Sequence, residues 1–121
     1  MAADAVDYYG VVRRIALALP GVEEGTSYGT PALKVKGKLL ARLWEDGETL
    51  VLRVNLFERP YLVEAEPEIF FITDHYHDWP AVLLRLQKVT EARLREAVLD
   101  SWRFVAPPKV VAAYDAASTS P

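Results

Sequence analysis

The stretch that decides the fold is ALKVKGKLLARLWEDGETLVLRV, residues 32–54, which has the pattern of two consecutive β-hairpins. Asp46-Gly47 lies between two β-prone runs and suits a two-residue type I′ turn, because both residues tolerate a positive φ. Such a turn places Trp44 opposite Thr49. Upstream, the KGK sequence at residues 36–38 predicts a second turn, a three-residue loop with a bulge.

Alternation of side chains along these strands divides them between two faces of one sheet. The apolar face is predicted to contain Leu33, Leu39, Ala41, Leu43, Leu50, Leu52 and Val54. The opposite face, called here the far face, is predicted to contain Lys34, Leu40, Arg42, Trp44, Val51 and Arg53. A slip of one residue would exchange the two faces, so the register should be strongly specified.

The two ends of the chain are predicted to be helical. Apolar residues at three- and four-residue spacing predict a first helix over residues 5–19, capped by Asp4 or Asp7. The same spacing predicts a last long helix over residues 91–105, capped by Thr90. Residues 109–114 could add one or two further turns after the break at Pro107-Pro108.

Shorter elements fill the middle of the chain. The Gly-rich segment 22–31 is predicted to be a connection, with at most a brief edge strand near Tyr28. A short helix is predicted over residues 57–65 and strands over 69–73 and 81–86. If the last strand joins the sheet, Arg85 lies on the far face. The predicted fold class is α+β: a single, mainly antiparallel sheet with helices packed on one face, which leaves the far face partly to solvent.

Length and composition describe an ordinary globular protein. The 121 residues suffice for one domain over 1–121, with residues 116–121 expected to form a disordered tail. No apolar run approaches the ~20 residues that a membrane span needs, and the first residues lack a signal-peptide pattern. The chain has no cysteine, which excludes disulfides and thiolate metal sites. We therefore expect a cytoplasmic protein without membrane association.

Several motifs, in order, resemble those of the MmcQ/YjbR family of small bacterial proteins. They are LALPGV at residues 17–22, TSYGTPALKVKGK at 26–38, FFITDHY at 70–76, PAVLLRL at 80–86, WR at 102–103 and YD at 114–115. The resemblance implies a frataxin-like fold, an antiparallel sheet with helices on one side. It also implies DNA binding, a description applied to the family. One departure concerns residues 74–79: many members have a basic loop there, and this chain has Asp in place of a cation.

The first candidate site is the cationic part of the far face and its neighbouring turn. It comprises Lys34, Lys36, Lys38, Arg42, Trp44, Arg53 and Arg85. Cations beside an aromatic ring could hold phosphates and stack a base or another planar ligand. The alternative is that their long stems only cover an open sheet face.

Two other kinds of site have weaker support in the sequence. The loop from Asp74 to Asp78 contains two imidazoles and two carboxylates, but their spacing matches no metal-binding pattern. The hydroxyls of Ser27, Thr30 and Ser101 have no recognisable base or nucleophile elbow near them. We therefore expect no metal, no cofactor and no catalytic centre.

These observations favour a non-catalytic binding module. DNA is the first candidate partner, bound by the cationic and aromatic far face. The net charge of −3 weighs against it, because non-specific DNA affinity comes largely from cations placed against phosphates. The alternative is a protein-interaction or small-ligand module that uses the same face through Trp44.

Overall fold

A six-stranded sheet forms the centre of the computed structural model, which describes residues 7–119, the last two by their backbone only. Its strands are β1 (Val22–Ser27), β2 (Thr30–Val35), β3 (Lys38–Leu43), β4 (Thr49–Arg53), β5 (Phe70–Phe71) and β6 (Ala81–Arg85). They lie in the order β1-β2-β3-β4-β6-β5, and every neighbouring pair is antiparallel. The helices are α1 (Tyr8–Leu17), α2 (Arg59–Ala65), α3 (Glu91–Val105) and α4 (Pro108–Thr119). The predicted α+β class is confirmed.

The hairpin of β3 and β4 has the predicted register but a different turn. Leu43 pairs with Leu50, and the Trp44 backbone N–H donates to the carbonyl of Thr49 at 2.8 Å. The predicted type I′ turn is wrong, since Gly47 has a positive φ (73°) and Asp46 does not. Instead the Asp46 carboxylate accepts hydrogen bonds from backbone N–H groups of the loop, an Asx-type arrangement that preserves the same strand parity.

The hairpin of β2 and β3 departs from the predicted alternation at one residue. Lys36 and Gly37 both have positive φ (51° and 83°) and form a two-residue turn, so the predicted three-residue loop is wrong. The extra residue lies further along, on β3. Leu33 pairs with Ala41 and the next residue, Lys34, pairs with Leu39, which leaves Leu40 unpaired. Because of this bulge, the Leu40 side chain points into the main core and is fully buried, while the Leu39 side chain lies on the far face. The predicted faces of Leu39 and Leu40 are therefore exchanged.

The main core lies between the apolar face of the sheet and helices α1 and α3. Leu94, Val98, Trp102 and Val105 form the predicted buried stripe of α3. The Trp102 indole N–H donates to the carbonyl of Pro20 at 2.9 Å, which anchors the helix at the end of α1. Helix α3 is capped as predicted by Thr90, whose hydroxyl accepts from the Arg93 N–H.

The ends of several elements differ from prediction. Asp7 caps α1, and the alternative cap Asp4 lies outside the described residues. Residues 22–27, predicted as a connection, form edge strand β1, and Tyr28-Gly29 turns the chain into β2. The last helix continues to Thr119, beyond the start of the predicted disordered tail at 116. Among the described residues no helix is long and apolar enough to cross a membrane.

An ion pair between Glu66, directly after α2, and Arg93 of α3 should make stability depend on pH. The Arg93 guanidinium donates to both carboxylate oxygens of Glu66, and this contact lowers the pKa of Glu66. A lowered folded-state pKa adds stability that is present above the ordinary value of about 4.5 and is lost as the pH falls through the folded value. Glu66→Gln should therefore destabilise more at pH 7 than at pH 3, as measured by urea unfolding. An equal effect at both values would contradict this linkage.

Candidate ligand-binding cleft

A loop covers part of the far face, where an open surface was expected. Residues 72–80, called here the covering loop, contain one 3-10 turn at Asp74–Tyr76. Tyr76 is buried in a second, smaller core with Val51, Ala81 and Leu83 of the sheet, which Trp44 and Phe71 flank. Tyr76 therefore lies over the far face itself.

Arg59 makes more hydrogen bonds to the covering loop than any other arginine described. Arg59, at the start of α2, is 8% exposed and its guanidinium points into the loop. Its Nη1 donates to the carbonyls of Tyr76, Trp79 and Ala81 at 2.9–3.1 Å, and its Nη2 to that of His77. The guanidinium thus serves three carbonyls of the loop and that of Ala81, and the Tyr76 and Trp79 carbonyls each accept a backbone N–H as well.

Arg42 forms the floor of the space between the covering loop and the sheet. Its side chain, 5% exposed, rises from the last turn-side residues of β3, next to Leu43. Nη2 donates to the hydroxyl of Tyr76 at 2.9 Å, and Nη1 to the hydroxyl of Thr30 at 3.1 Å. The nearest carboxylate is that of Glu45, at 3.5 Å from Nη1 and 62% exposed. The guanidinium is therefore well hydrogen-bonded, but its positive charge faces only one carboxylate among the described residues, that of Glu45, which is largely exposed to solvent.

The space above Arg42 is a cleft of ≈400 Å³. It is lined by Tyr28, Leu39, Arg42, Glu45, His75, Tyr76 and Trp79. Tyr28, at the β1–β2 turn, is 85% exposed, and its ring lies 5.2 Å from the Arg42 guanidinium carbon. Its φ of +52° is a backbone region that a bulky residue rarely adopts. Aromatic walls and one buried cation give the cleft the character of a site for a planar ligand.

The predicted cationic set does not form one patch. Only Arg42 lines the cleft, and Lys34, opposite Leu39 across β2 and β3, lies beside it. Arg53 donates to the carbonyl of Pro80, and its guanidinium stacks 4.8 Å from the Trp79 ring. Burial lowers the pKa of Arg53. These contacts occupy Arg53 in holding the end of the covering loop.

The remaining predicted residues lie away from the cleft. Trp44 and Arg85 both contact the Phe71 ring, Trp44 edge-on at 6.4 Å and Arg85 at 4.1 Å, in a separate shallow depression near the β3–β4 loop. Arg85 also donates to the carbonyl of Pro67. Lys36 and Lys38 are exposed at the β2–β3 turn. Apart from the exchange of Leu39 and Leu40, the far-face parity was right, while a continuous exposed surface was not formed.

The histidines of the covering loop do not meet at one point. The His75 ring packs edge-on against Tyr76 at 4.8 Å, and His77 Nδ1 lies 3.1 Å from the Asp78 carboxylate. Within residues 7–117, no three histidine, aspartate or glutamate side chains gather as a metal would need.

Three residues that matter here were not among the sequence candidates: Tyr28, Arg59 and Tyr76. A Tyr-Gly pair between two β-prone runs was an available signal for a turn with positive φ, and hence for an exposed ring at its tip. Nothing in the sequence marks Arg59, because its partners are backbone carbonyls seventeen or more residues away. Tyr76 was named only as the last residue of the FFITDHY motif.

A family model described as YjbR matches residues 17–104. The chain belongs to the YjbR family. This confirms the resemblance drawn from its motifs, and the match covers every element from β1 to α3 apart from the last residue of that helix.

Relatives of this YjbR-family chain supply no activity. It is 37% identical over 53 residues to the uncharacterized proteins Mb2600 of Mycobacterium bovis and Rv2570 of Mycobacterium tuberculosis. The matched segment is 44% of this chain and spans 41% of the length of those relatives. The crystal structure of Deinococcus radiodurans protein DR2400, a DUF419 domain, is similar with a TM-score of 0.66. That similarity covers 78% of this chain and 75% of the other at 23% identity, and it concerns the fold alone.

Proposed function

We propose that this protein is a non-catalytic binding module that takes a small ligand with a planar ring into the cleft above Arg42. The observation that carries the proposal is the combination of aromatic walls from Tyr28, Tyr76 and Trp79 with one buried guanidinium. A cleft of ≈400 Å³ is within the ~300–1,000 Å³ range of small-molecule sites. The small-ligand alternative drawn from the sequence is kept, with Arg42 and Tyr28 in place of Trp44.

The left-handed backbone at Tyr28 supports the same proposal. Asparagine or glycine suits the first position of such a turn, and a tyrosine there costs about 1 kcal/mol of backbone strain. Its ring gains little burial in return, being 85% exposed. A strained residue with an exposed aromatic ring at the mouth of a cleft is typical of a ligand contact.

DNA is the second candidate, in a restricted form. Lys36 and Lys38 are exposed, and Lys34 lies beside Leu39 at one end of the cleft. These cations could contact the phosphates of a single strand while one base stacks on Tyr28. Duplex binding by the whole far face has less support, because Arg53 and Arg85 are engaged with carbonyls and aromatic rings of the protein.

The test is titration of the protein with adenosine 5′-monophosphate, naphthalene-2-carboxylate and an oligothymidylate, followed by NMR. The chain has three tryptophans, so the indole N–H signal of Trp79 can be assigned with a Trp79→Phe variant. A saturable shift of that signal by either small molecule supports the proposal. A shift by the oligonucleotide alone, weakening with salt, would favour DNA instead. No shift with any of the three at millimolar concentration would overturn both.

Tyr28→Asn should separate binding from stability. We expect about a tenfold loss of affinity for naphthalene-2-carboxylate, since a stacked ring contributes about 1–3 kcal/mol. The free energy of unfolding should change by less than about 1 kcal/mol, because relief of the backbone offsets the lost contact with Arg42.

The matched control for this variant is Lys36→Asn. Lys36 occupies the equivalent position of the next turn, with a φ of +51°, and it does not line the cleft. We expect a small gain in urea-unfolding stability and an unchanged affinity. An equal loss of affinity in both variants would show that Tyr28 does not contact the ligand.

A further inference from the structure

Resting on the function proposed above, we infer that the ligand carries an anionic group, a carboxylate or a phosphate, which replaces the Glu45 carboxylate on the Arg42 guanidinium. Glu45 is then an internal competitor that occupies the anion position while the cleft is empty. The ligand then needs a negative charge as well as a planar ring, and the contact between Glu45 and Arg42 is regulatory.

The environment of Arg42 leads to this inference. The side chain is 5% exposed, and the polar groups that hold it are neutral: the hydroxyls of Thr30 and Tyr76 and the carbonyl of Leu43. A buried cation that lacks a close carboxylate is costly, and the guanidinium fork suits an anion in two-point contact. The cleft opens directly above this fork.

The position of Glu45 shows where such an anion would bind. Its carboxylate lines the cleft and reaches Nη1 at 3.5 Å, longer than a good charge-assisted hydrogen bond. It belongs to the exposed β3–β4 loop and is 62% exposed, so water screens the pair and the contact is weak. A ligand anion with a shorter contact can displace it at little cost, and Glu45 can turn into solvent.

The experiment compares naphthalene-2-carboxylate with its neutral amide, naphthalene-2-carboxamide, by the Trp79 shift and by calorimetry. The two probes share ring and size and differ in charge. Each is measured on the unaltered protein, on Glu45→Gln and on the control Glu48→Gln. Glu48 is an exposed residue of the same loop that lies at the Trp44 depression and not at the cleft.

We expect the carboxylate to bind at least about tenfold more tightly than the amide, because a hydrogen bond to a charged group is worth more than a neutral one. Glu45→Gln should tighten carboxylate binding about two- to fivefold and leave amide binding unchanged, as removal of a weak surface ion pair implies. Glu48→Gln should change neither.

The outcomes separate this inference from the proposed function. If both probes bind equally, or Glu45→Gln and Glu48→Gln have the same effect, the anion requirement is wrong while the planar-ligand function stands. If neither probe binds, the proposed function falls, and this inference falls with it.

Discussion

Arg59→Met is expected to lower the free energy of unfolding by about 3 kcal/mol or more, because the covering loop loses the donor on which it depends. The guanidinium donates to four loop and strand carbonyls, and methionine retains the stem without those donors. A buried carbonyl left unpaired costs about 1–3 kcal/mol, so the loop should detach from the sheet and expose its carbonyls to water rather than remain in place.

Detachment of the loop limits the loss of unfolding free energy and confines the structural change to the loop and the core beneath it. Once the loop leaves, Tyr76 exposes the small core beneath it, while the main core between the sheet and α3 remains intact. Amide hydrogen exchange in residues 72–80 should therefore accelerate far more than exchange in β3 and β4. Urea unfolding measures the loss of stability, and limited proteolysis shows which segment has become accessible.

Arg95→Met is the matched control for the stability measurement. Arg95 is an exposed arginine whose partner is Glu91, one turn away on α3, and such pairs contribute about 0.3–0.5 kcal/mol. If the two methionine variants lay within about 1 kcal/mol of each other, Arg59 would not be the anchor of the loop.

Arg42→Met is expected to lower the affinity for naphthalene-2-carboxylate a hundredfold or more. It should also lower the free energy of unfolding by about 2 kcal/mol. The binding loss follows from removal of the buried cation below the cleft. The stability loss follows from the Tyr76 hydroxyl, which is buried with the guanidinium as its partner at 2.9 Å. Calorimetry and urea unfolding measure the two effects separately.

The double variant Arg42→Met/Tyr76→Phe separates the loss of stability, caused by the unpaired Tyr76 hydroxyl, from the loss of binding, caused by the missing cation. Replacing both partners of a buried hydrogen bond by apolar groups can be nearly neutral, whereas removing one leaves the other unpaired. We expect most of the stability to return in the double variant, while binding remains absent. Recovery of binding would exclude Arg42 from the site, and an additive loss of stability would contradict the coupling of this pair.

Much of the sheet could be predicted because its information is local. Loop length and alternation between residues 38 and 54 determine the parity of β3 and β4, and the loop around Gly47 preserves that parity even though its turn type differs. The same parity placed Arg42, Trp44 and Arg53 on the far face. The bulge at Leu40 could not be predicted, because an apolar pair at residues 39–40 allows either residue to face the core.

The cleft depended on contacts between distant parts of the chain. Its walls come from the β1–β2 turn, strand β3 and the covering loop, and the carbonyls that Arg59 of α2 binds lie seventeen to twenty-two residues away. Sequence periodicity reports which face of an element is apolar. It carries no information on which loop crosses that face.

The sequence by itself determined the fold class, the strand parity outside the bulge at Leu40 and the family, because turns, caps and alternation act over a few residues. Only the tertiary structure decided that the cationic face is divided, with Arg53 and Arg85 engaged internally and Arg42 at the floor of an aromatic cleft. The physical reason is that a guanidinium finds its partners among carbonyls, hydroxyls and rings brought together by folding, and those partners leave no pattern along the chain.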